Sequence, residues 1–440
     1  MTDHHDPERL TRELAELREE HRRVLQSTSY RVGKLLVGAV RTPRALIRLP
    51  GDLYRLYRER RAHRLAPGPG SRQFDEVRTR IQGLTETIRA KPESGFIFLF
   101  SGTTYIQGTR GNRPIRQTQA LLQQGVPVLF SYHRSRFTEP LPAYEQKGLV
   151  QSPADITMQL LGAIATADVG DAPRLYIVSY PYPGIEKSVP MFREHGWRVI
   201  YDCRDDWEEF SKVGMARWFN AEVERTLVRE CDITFCVAGP LVAKMGAVAP
   251  GSRVELVPNA VEADFLPEGY RRKPEAARPI VGYFGHLAAA WFDWDAFTEI
   301  AQRCPQYDFE VIGHSAPADL RLPDNVQLLG PKPWRQLHEF ARRWSVAVIP
   351  FRMSPLADGV DPIKIYEYLA FGLPVVSFRM PQISEYPYTI TVDSVGTFCD
   401  ALKEACATET DRDIIDAFLA RNTWEVRANQ LVALMTSSLQ

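Results

Sequence analysis

Short runs of β-branched and aromatic residues recur along most of this chain with amphipathic stretches between them, and that alternation leaves few folds open. Phe96 to Phe100, Val126 to Tyr132, Leu175 to Tyr180, Trp197 to Asp202, Ile233 to Val237 and Val254 to Val257 are the candidate strands of one half. Ile280 to Gly285, Phe309 to Gly313, Val326 to Leu329, Val346 to Pro350 and Val375 to Phe378 are those of a second. Such continuously apolar runs suit strands of a parallel sheet covered by helices on both faces. A chain of 440 residues exceeds what one core usually accommodates. The polar run Gly269 to Pro279, with two prolines, is the natural hinge. The expected class is α/β, with two Rossmann-like parallel-sheet lobes facing across a cleft.

Lys plus Arg and Asp plus Glu both total 54, so the overall charge favours neither nucleic acid nor an acidic polymer as partner. The distribution is uneven. From His21 to Arg64 stand twelve Lys or Arg against two acids, Asp52 and Glu59, an excess of +10, interleaved with residues such as Leu35, Leu36, Val40, Ile47 and Leu53. A basic amphipathic arm of this kind suits an anionic membrane surface, each basic group contributing about 1 kcal/mol there. A solvated arm, or one docked on protein, is the plainer reading. Leu10, Leu14, Leu17 and Val24 have coiled-coil-like spacing over about two heptads, short of a stable coiled coil. APGPGS, from Ala66 to Ser71, reads as a linker. Cys203, Cys231, Cys236, Cys304, Cys399 and Cys406 form no CxxC pair and no zinc spacing, so they read as buried apolar residues in a reducing compartment. With acidic, His-containing first residues and no apolar run near ~20 residues, the expected location is cytoplasmic, peripheral to the membrane through residues 21–64.

The segment VAVIPFRMSPLADGVDPIKIYEYLAFGLPVVSF, from Val346 to Phe378, reads as strand, loop, helix, strand. Asp361 is a good N-cap, Pro362 fits the first helical position and Gly372 supplies the stop. First-turn N–H groups then point into the crevice at the carboxyl end of a strand, where open α/β sheets bind ligands. Lys364 adds a full charge, and Glu367 shares its helix face. An ammonium for phosphates beside a carboxylate for ribose hydroxyls suits a nucleoside diphosphate; a surface ion pair is the bland alternative. Gly282, Gly285 and His286 end the first strand of this half, while Gly313 with His314 and Gly330 with Pro331 end the next two. Their small residues let backbone groups approach a phosphate, a sugar or a base edge.

In the first half, Gly111, Asn112 and Arg113 lie after the first strand, and Arg116 opens the following helix. They suit an acceptor phosphate or the donor diphosphate, or a solvated basic loop. Asp202, Asp205 and Asp206 in YDCRDDW stand at a strand's carboxyl end, where one carboxylate can take a hydroxyl proton. Asp202 is the preferred residue for this general-base chemistry, with Asp205 beside it; capping of the helix at WEEF is the alternative for Asp205 or Asp206. Tyr180 and Tyr182 in SYPYPG make a stiff aromatic loop suited to a sugar ring or to strand-end packing.

DPIKIYEYLAFGLPVV resembles the donor-binding segment of GT-B glycosyltransferases, especially bacterial retaining family 4 (group 1) enzymes of surface polysaccharide synthesis. GNRPIRQTQALLQQGVPVLF, VIYDCRDDWEEF, CDITFCVAGPLVAKM, VELVPNAVEADFL, PIVGYFGHLAAAWFDWDAF, FEVIGH and NVQLLGPKPWRQL agree in the same order, so the resemblance runs from about Gly95 to the C-terminus. Composition and pattern set off a helical basic arm and linker at 1–92, and the resemblance implies an acceptor lobe at 93–272 and a donor lobe at 273–421, with 422–440 crossing back onto the first lobe. It further implies donor contacts at Gly285, His286, Gly313, Gly330, Arg352, Gly359, Val360, Asp361, Lys364, Tyr366 and Glu367. Acceptor contacts fall at Asn112, Arg113, Arg116, Tyr180 and Tyr182, with Asp202, Asp205 and Lys364 in catalysis. An NDP-sugar as co-substrate, a glycan or lipid-linked acceptor, no cofactor and no metal follow, with anomeric retention. Two departures stand out. Gly359 occupies a position where many relatives carry an acid, and Leu287 to Trp291, LAAAW, lacks the basic pair many relatives place there. A nucleotide-sugar 2-epimerase of the same architecture and a non-catalytic nucleotide-sugar-binding scaffold at the membrane remain as alternatives.

Overall fold

A computed structural model describes residues 69–107, 111–272 and 278–437. The chain divides into two compact units, Met1–Asp75 and Glu76–Gln440. The proposed arm at 21–64 and the leucine heptads lie outside the described residues, as does part of the proposed hinge. Helix Pro69–Ala90 takes in the end of the segment read as a linker. Proline is tolerated at a helix start, and Val77, Ile81, Leu84 and Ile88 make a buried stripe at helical spacing.

Both lobes lie in the second unit. The first sheet runs β1 Phe96–Phe100, β2 Val128–Tyr132, β3 Leu149–Pro153, β4 Arg174–Val178, β5 Arg198–Cys203, β6 Ile233–Cys236 and β7 Val254–Leu256. Its spatial order is β3-β2-β1-β4-β5-β6-β7, parallel throughout. The second sheet comprises β8 Ile280–His286, β9 Asp308–His314, β10 Val326–Gly330, β11 Val346–Ile349, β12 Val375–Phe378 and β13 Thr389–Val392, in the order β10-β9-β8-β11-β12-β13. It is parallel as well. The two-lobed doubly wound architecture expected from the sequence is therefore present.

In each sheet the order reverses beside the first strand, between β1 and β4 and between β8 and β11, and a crevice opens at the carboxyl ends there. Two strands escaped the sequence reading. β3, LVQSP, is half polar, and Gln151 within it spends its side chain on the Ile106 amide, at 2.7 Å. β13, TITV, is an edge strand, and its residues are only half-buried.

Close packing around β8 requires glycine at particular positions. A Cβ on Gly282 would lie 1.9 Å from the Trp344 ring, and one on Gly313 2.0 Å from the Gly285 carbonyl oxygen. After helix Arg412–Ala420 the chain returns to the first lobe. Val261 and Thr423 form a parallel bridge, and helix Trp424–Thr436 packs on helix Arg113–Gln123 with Trp424, Ala428, Leu431 and Met435 buried. Arg427 secures the crossing by donating to the carbonyls of Pro258 at 2.8 Å and Asn259 at 3.2 Å. The cysteines carry free thiols; four are buried, and Cys399 and Cys406 are half-buried.

Candidate active site

The cavity between the lobes has a volume of about 650 Å³ and is walled by the segments that follow β1 and β5 in the first lobe and β8 and β11 in the second. Its most distinctive group is Lys364, on the first turn of helix Ile363–Ala370. The ammonium donates to Tyr283 Oη at 3.0 Å and lies 4.7 Å from the centre of the Tyr283 ring and 4.4 Å from that of Phe351. Tyr283 in turn donates to the His286 carbonyl. No carboxylate pairs with Lys364 among the described residues, and desolvation lowers its pKa to about 7. Gly285 makes this placement possible: at φ +150° it brings its backbone so near that a Cβ would stand 2.7 Å from Lys364 Nζ. The start of the same helix, Pro362 to Lys364, lines the same space, and a helix N-terminus favours an anion there.

Glu367 also lines this cavity and is fully buried. Its carboxylate is oriented by Arg116 of the first lobe at 3.3 Å; the same guanidinium binds Glu262 at 2.5 Å and donates to the Gly111 carbonyl at 2.7 Å. The bland alternative, a surface ion pair of Lys364 with Glu367, is not what forms: both groups line the cavity, the cation held by Tyr283 and the carboxylate by Arg116.

Asp361 is not the N-cap. Pro362 occupies that position, and the Asp361 carboxylate accepts from Tyr366 Oη at 2.8 Å, Tyr386 Oη at 3.1 Å and the Asn259 amide at 2.6 Å. Burial pushes its pKa up to about 6 against these donors. Asp361 lines the cavity, whereas Tyr366 sits behind it as a fully buried donor and does not reach a ligand there. Val360, Gly285 and His286 line the cavity as expected. His286 and His314 lie side by side at the ends of β8 and β9, ring centres 5.0 Å apart, and burial first, then His314 and Lys364, lowers the pKa of His286. Gly313 belongs to an adjoining cavity of about 580 Å³ that shares both histidines and continues along Pro331 to Arg335.

Three expected donor contacts are corrected. Arg352 is turned away, 3.5 Å from Asp293 and 3.9 Å from Asp295. Gly359 is buried in the seam between lobes, where a Cβ would lie 3.3 Å from Asp206 and Leu241 side chains. Gly330, at φ +68°, turns the chain at the end of β10 and lines neither cavity.

On the first-lobe wall, Asn112, Arg113 and Arg116 line the cavity at the start of helix Arg113–Gln123. Arg113 grips Asp202 through Nε at 3.0 and 3.1 Å and Nη2 at 2.9 Å, and Ser179 Oγ donates to the same carboxylate at 3.2 Å. Asp202 is 1% exposed and is no wall of the cavity. The catalytic reading of Asp202 is corrected accordingly: it neutralises Arg113. Of Asp202, Asp205 and Asp206, it is Asp205 that lines the cavity. Its pKa is pushed up to about 6 by desolvation, with Arg204 and Arg113 opposing and Asp202 reinforcing the shift. Asp206 caps helix Trp207–Lys212 through the Glu209 amide and binds Lys244 at 2.7 Å.

Tyr180 and Tyr182 are corrected as well. Tyr180 is buried between Phe100 and Trp218 against Gly102, Tyr182 stacks on it at 5.5 Å, and neither lines the cavity. Sequence reasoning passed over Arg204, Asn259, Phe284, Trp291 and Phe351, all of which line the cavity. Of these, Arg204 and Asn259 sit within strand-end motifs, YDCRDDW and VPNAVE, that signalled them.

Residues 278–407 match a family model described as Glycosyl transferases group 1. TuaH of Bacillus subtilis (strain 168), named as a teichuronic acid biosynthesis glycosyltransferase, is 25% identical over 228 residues, covering 47% of this chain and 56% of that protein. The chain thus spans about half the length of this curated relative. Among solved structures, sucrose-phosphate synthase from Thermosynechococcus elongatus superposes with a TM-score of 0.59 at 15% identity, over 77% of this chain and 98% of that one. HepE of Anabaena, in complex with UDP and glucose, gives 0.53 at 14% identity over 78% and 99%. Residues 278–407 of this chain, in its second lobe, are therefore a group 1 glycosyltransferase domain by that match, within a chain that has the two-lobed GT-B fold.

Proposed function

We propose that this chain is a glycosyltransferase that moves a sugar from an NDP-sugar to a glycan or lipid-linked acceptor in surface polysaccharide synthesis, with retention and without a metal ion. The observation that carries the reading is Lys364, an ammonium that no carboxylate pairs with among the described residues, at a helix N-terminus inside an interlobe cavity. A diphosphate supplies the missing counter-charge, and the helix dipole adds to it. The bond between the sugar's anomeric carbon and the phosphate oxygen breaks, negative charge grows on the departing diphosphate, and the preorganised donors stabilise it. The acceptor oxygen forms the new bond, and its proton passes to Asp205 or to the leaving phosphate. Glu367, oriented by Arg116, accepts from the ribose hydroxyls. The names of the Bacillus relative and of the Anabaena neighbour support the polymer and donor classes.

Thermal-shift titration with UDP, GDP and dTDP sugars tests the reading, because a ligand that binds the native state raises the unfolding midpoint by mass action. One base series is expected to shift it, with a proton NMR product of retained configuration once an acceptor is supplied. An epimerised donor in the absence of acceptor would make the chain an epimerase, and saturable binding without turnover would make it a scaffold. Activity that EDTA abolishes and Mn²⁺ restores would overturn metal independence.

Asp205→Asn is expected to lower kcat by about a hundredfold, in the range for loss of a positioned proton acceptor. The acid limb of the pH–rate profile, set near pH 6 by the raised Asp205 carboxyl, should vanish with it. An unchanged limb would assign proton transfer to the phosphate alone.

A further inference from the structure

The second lobe brings few cations to its cavity. Among the described residues that line it, Lys364 is the only Lys or Arg from that lobe. Arg352 does not line the cavity and stands near Asp293 and Asp295, and the stretch Leu287 to Trp291 carries no charge. A diphosphate exposes oxygens on two phosphorus atoms, and a single ammonium meets only part of that charge.

The first-lobe wall holds three arginines, and two of them are committed. Arg113 is neutralised by Asp202, and Arg116 by Glu262 and Glu367. Arg204 differs. Its side chain is only 10% exposed, its Nε has no hydrogen-bond partner among the described residues, and its ion pair with Asp205 is 3.6 Å long, too long for a hydrogen bond. The guanidinium lies 5.3 Å from the centre of the Trp207 ring, which fixes its plane. Trp207 begins a helix whose cap, Asp206, is itself held by Lys244, so the fork is preorganised. A desolvated guanidinium short of acceptors and bordering a cavity is matched to an oxyanion, above all to the two oxygens of a phosphate or carboxylate.

We infer that Arg204 is a ligand of the donor diphosphate contributed by the first lobe, so that the leaving group is held between cations of both lobes. This rests on the glycosyltransferase reading above. The diphosphate then bridges the cleft, and donor binding favours the arrangement in which the lobes approach. Arg204 also faces charge that grows as the sugar departs, so its loss lowers kcat as well as affinity.

Isothermal titration of wild type, Arg204→Gln and Arg204→Lys with the preferred nucleoside diphosphate, and with the same nucleoside lacking phosphates, provides the test. Arg204→Gln is expected to bind the diphosphate about thirtyfold more weakly, the order for one charge-assisted hydrogen bond. Nucleoside affinity should be unchanged, which also shows that the fold is intact. Arg204→Lys should restore little, because lysine lacks the planar fork. Diphosphate affinity unchanged with a raised acceptor KM would place Arg204 on the acceptor and overturn the inference, as would equal weakening of nucleoside and diphosphate. Wild type that binds no nucleoside diphosphate would overturn the glycosyltransferase reading together with it.

Discussion

Lys364→Ala is expected to weaken nucleoside diphosphate binding about a hundredfold, the upper range for a charge-assisted contact, and to lower turnover at least as much. The free protein should lose no stability and should gain some. Its ammonium is desolvated with Tyr283 Oη as its hydrogen-bond acceptor, an arrangement that favours the neutral amine and costs the folded state whenever the amine is charged. A raised unfolding midpoint in the absence of ligand, with the ligand-induced shift abolished, is the signature of a group kept for binding at the expense of stability. Lowered stability with normal binding would show the lysine to be structural.

The pH dependence follows from the same displacement. The Lys364 pKa of about 7 in the empty site lies below its ordinary 10.5, so between those values the unfolded chain binds the extra proton. This group's contribution to stability therefore rises with pH across that window and is least favourable below pH 7. Diphosphate binding has the opposite sign. It favours the ammonium, so above pH 7 binding takes up a proton, and affinity should fall by up to about tenfold per pH unit until the bound-state pKa is reached. Titrations in buffers of different ionisation enthalpy measure that uptake directly.

The second large effect concerns Asp202. Asp202→Ala leaves the Arg113 guanidinium buried with its main counter-charge gone, and breaking such a pair costs about 3–5 kcal/mol. A denaturant midpoint lowered accordingly is expected. Replacing both partners, as Arg113→Met with Asp202→Leu, should recover most of that loss, because the desolvated charges disappear together. A folded Asp202→Ala protein with an unchanged midpoint and no turnover would restore the catalytic role its position in the sequence suggests.

That misassignment shows where sequence reading stops. Parallel strands announce themselves because burial on both faces forces continuous apolar runs, and β1 and β12 fall where those runs do. β3 and β13 lack the signal, one because its polar side chains find partners inside the lobe and the other because it lies at an edge. The cavity's second-lobe wall was legible from local chemistry, since Gly285, Lys364 and Glu367 sit where strand ends and a helix start must place them. The first-lobe wall was not. An acid at a strand end can face the cleft or its own lobe's interior, and the choice for Asp202 depends on Arg113, 89 positions earlier. Asp361 repeats the lesson: the cap its neighbours favour gives way to Tyr366, Tyr386 and Asn259, a set of donors assembled by the tertiary fold.

The return of the chain onto its first lobe has a mechanical meaning. Two backbone segments pass from lobe to lobe beside one another, pinned where Val261 meets Thr423 and where Arg427 grips Pro258 and Asn259. A doubled tether of this kind resists shear and leaves rotation about the crossing as the easy motion, so the cleft should breathe at its far lip while its floor stays fixed. For the same reason the second lobe cannot simply be excised at Ala420. Such a cut would strip Trp424, Leu431 and Met435 from the flank of helix Arg113–Gln123 and uncover the apolar interior of the partner lobe.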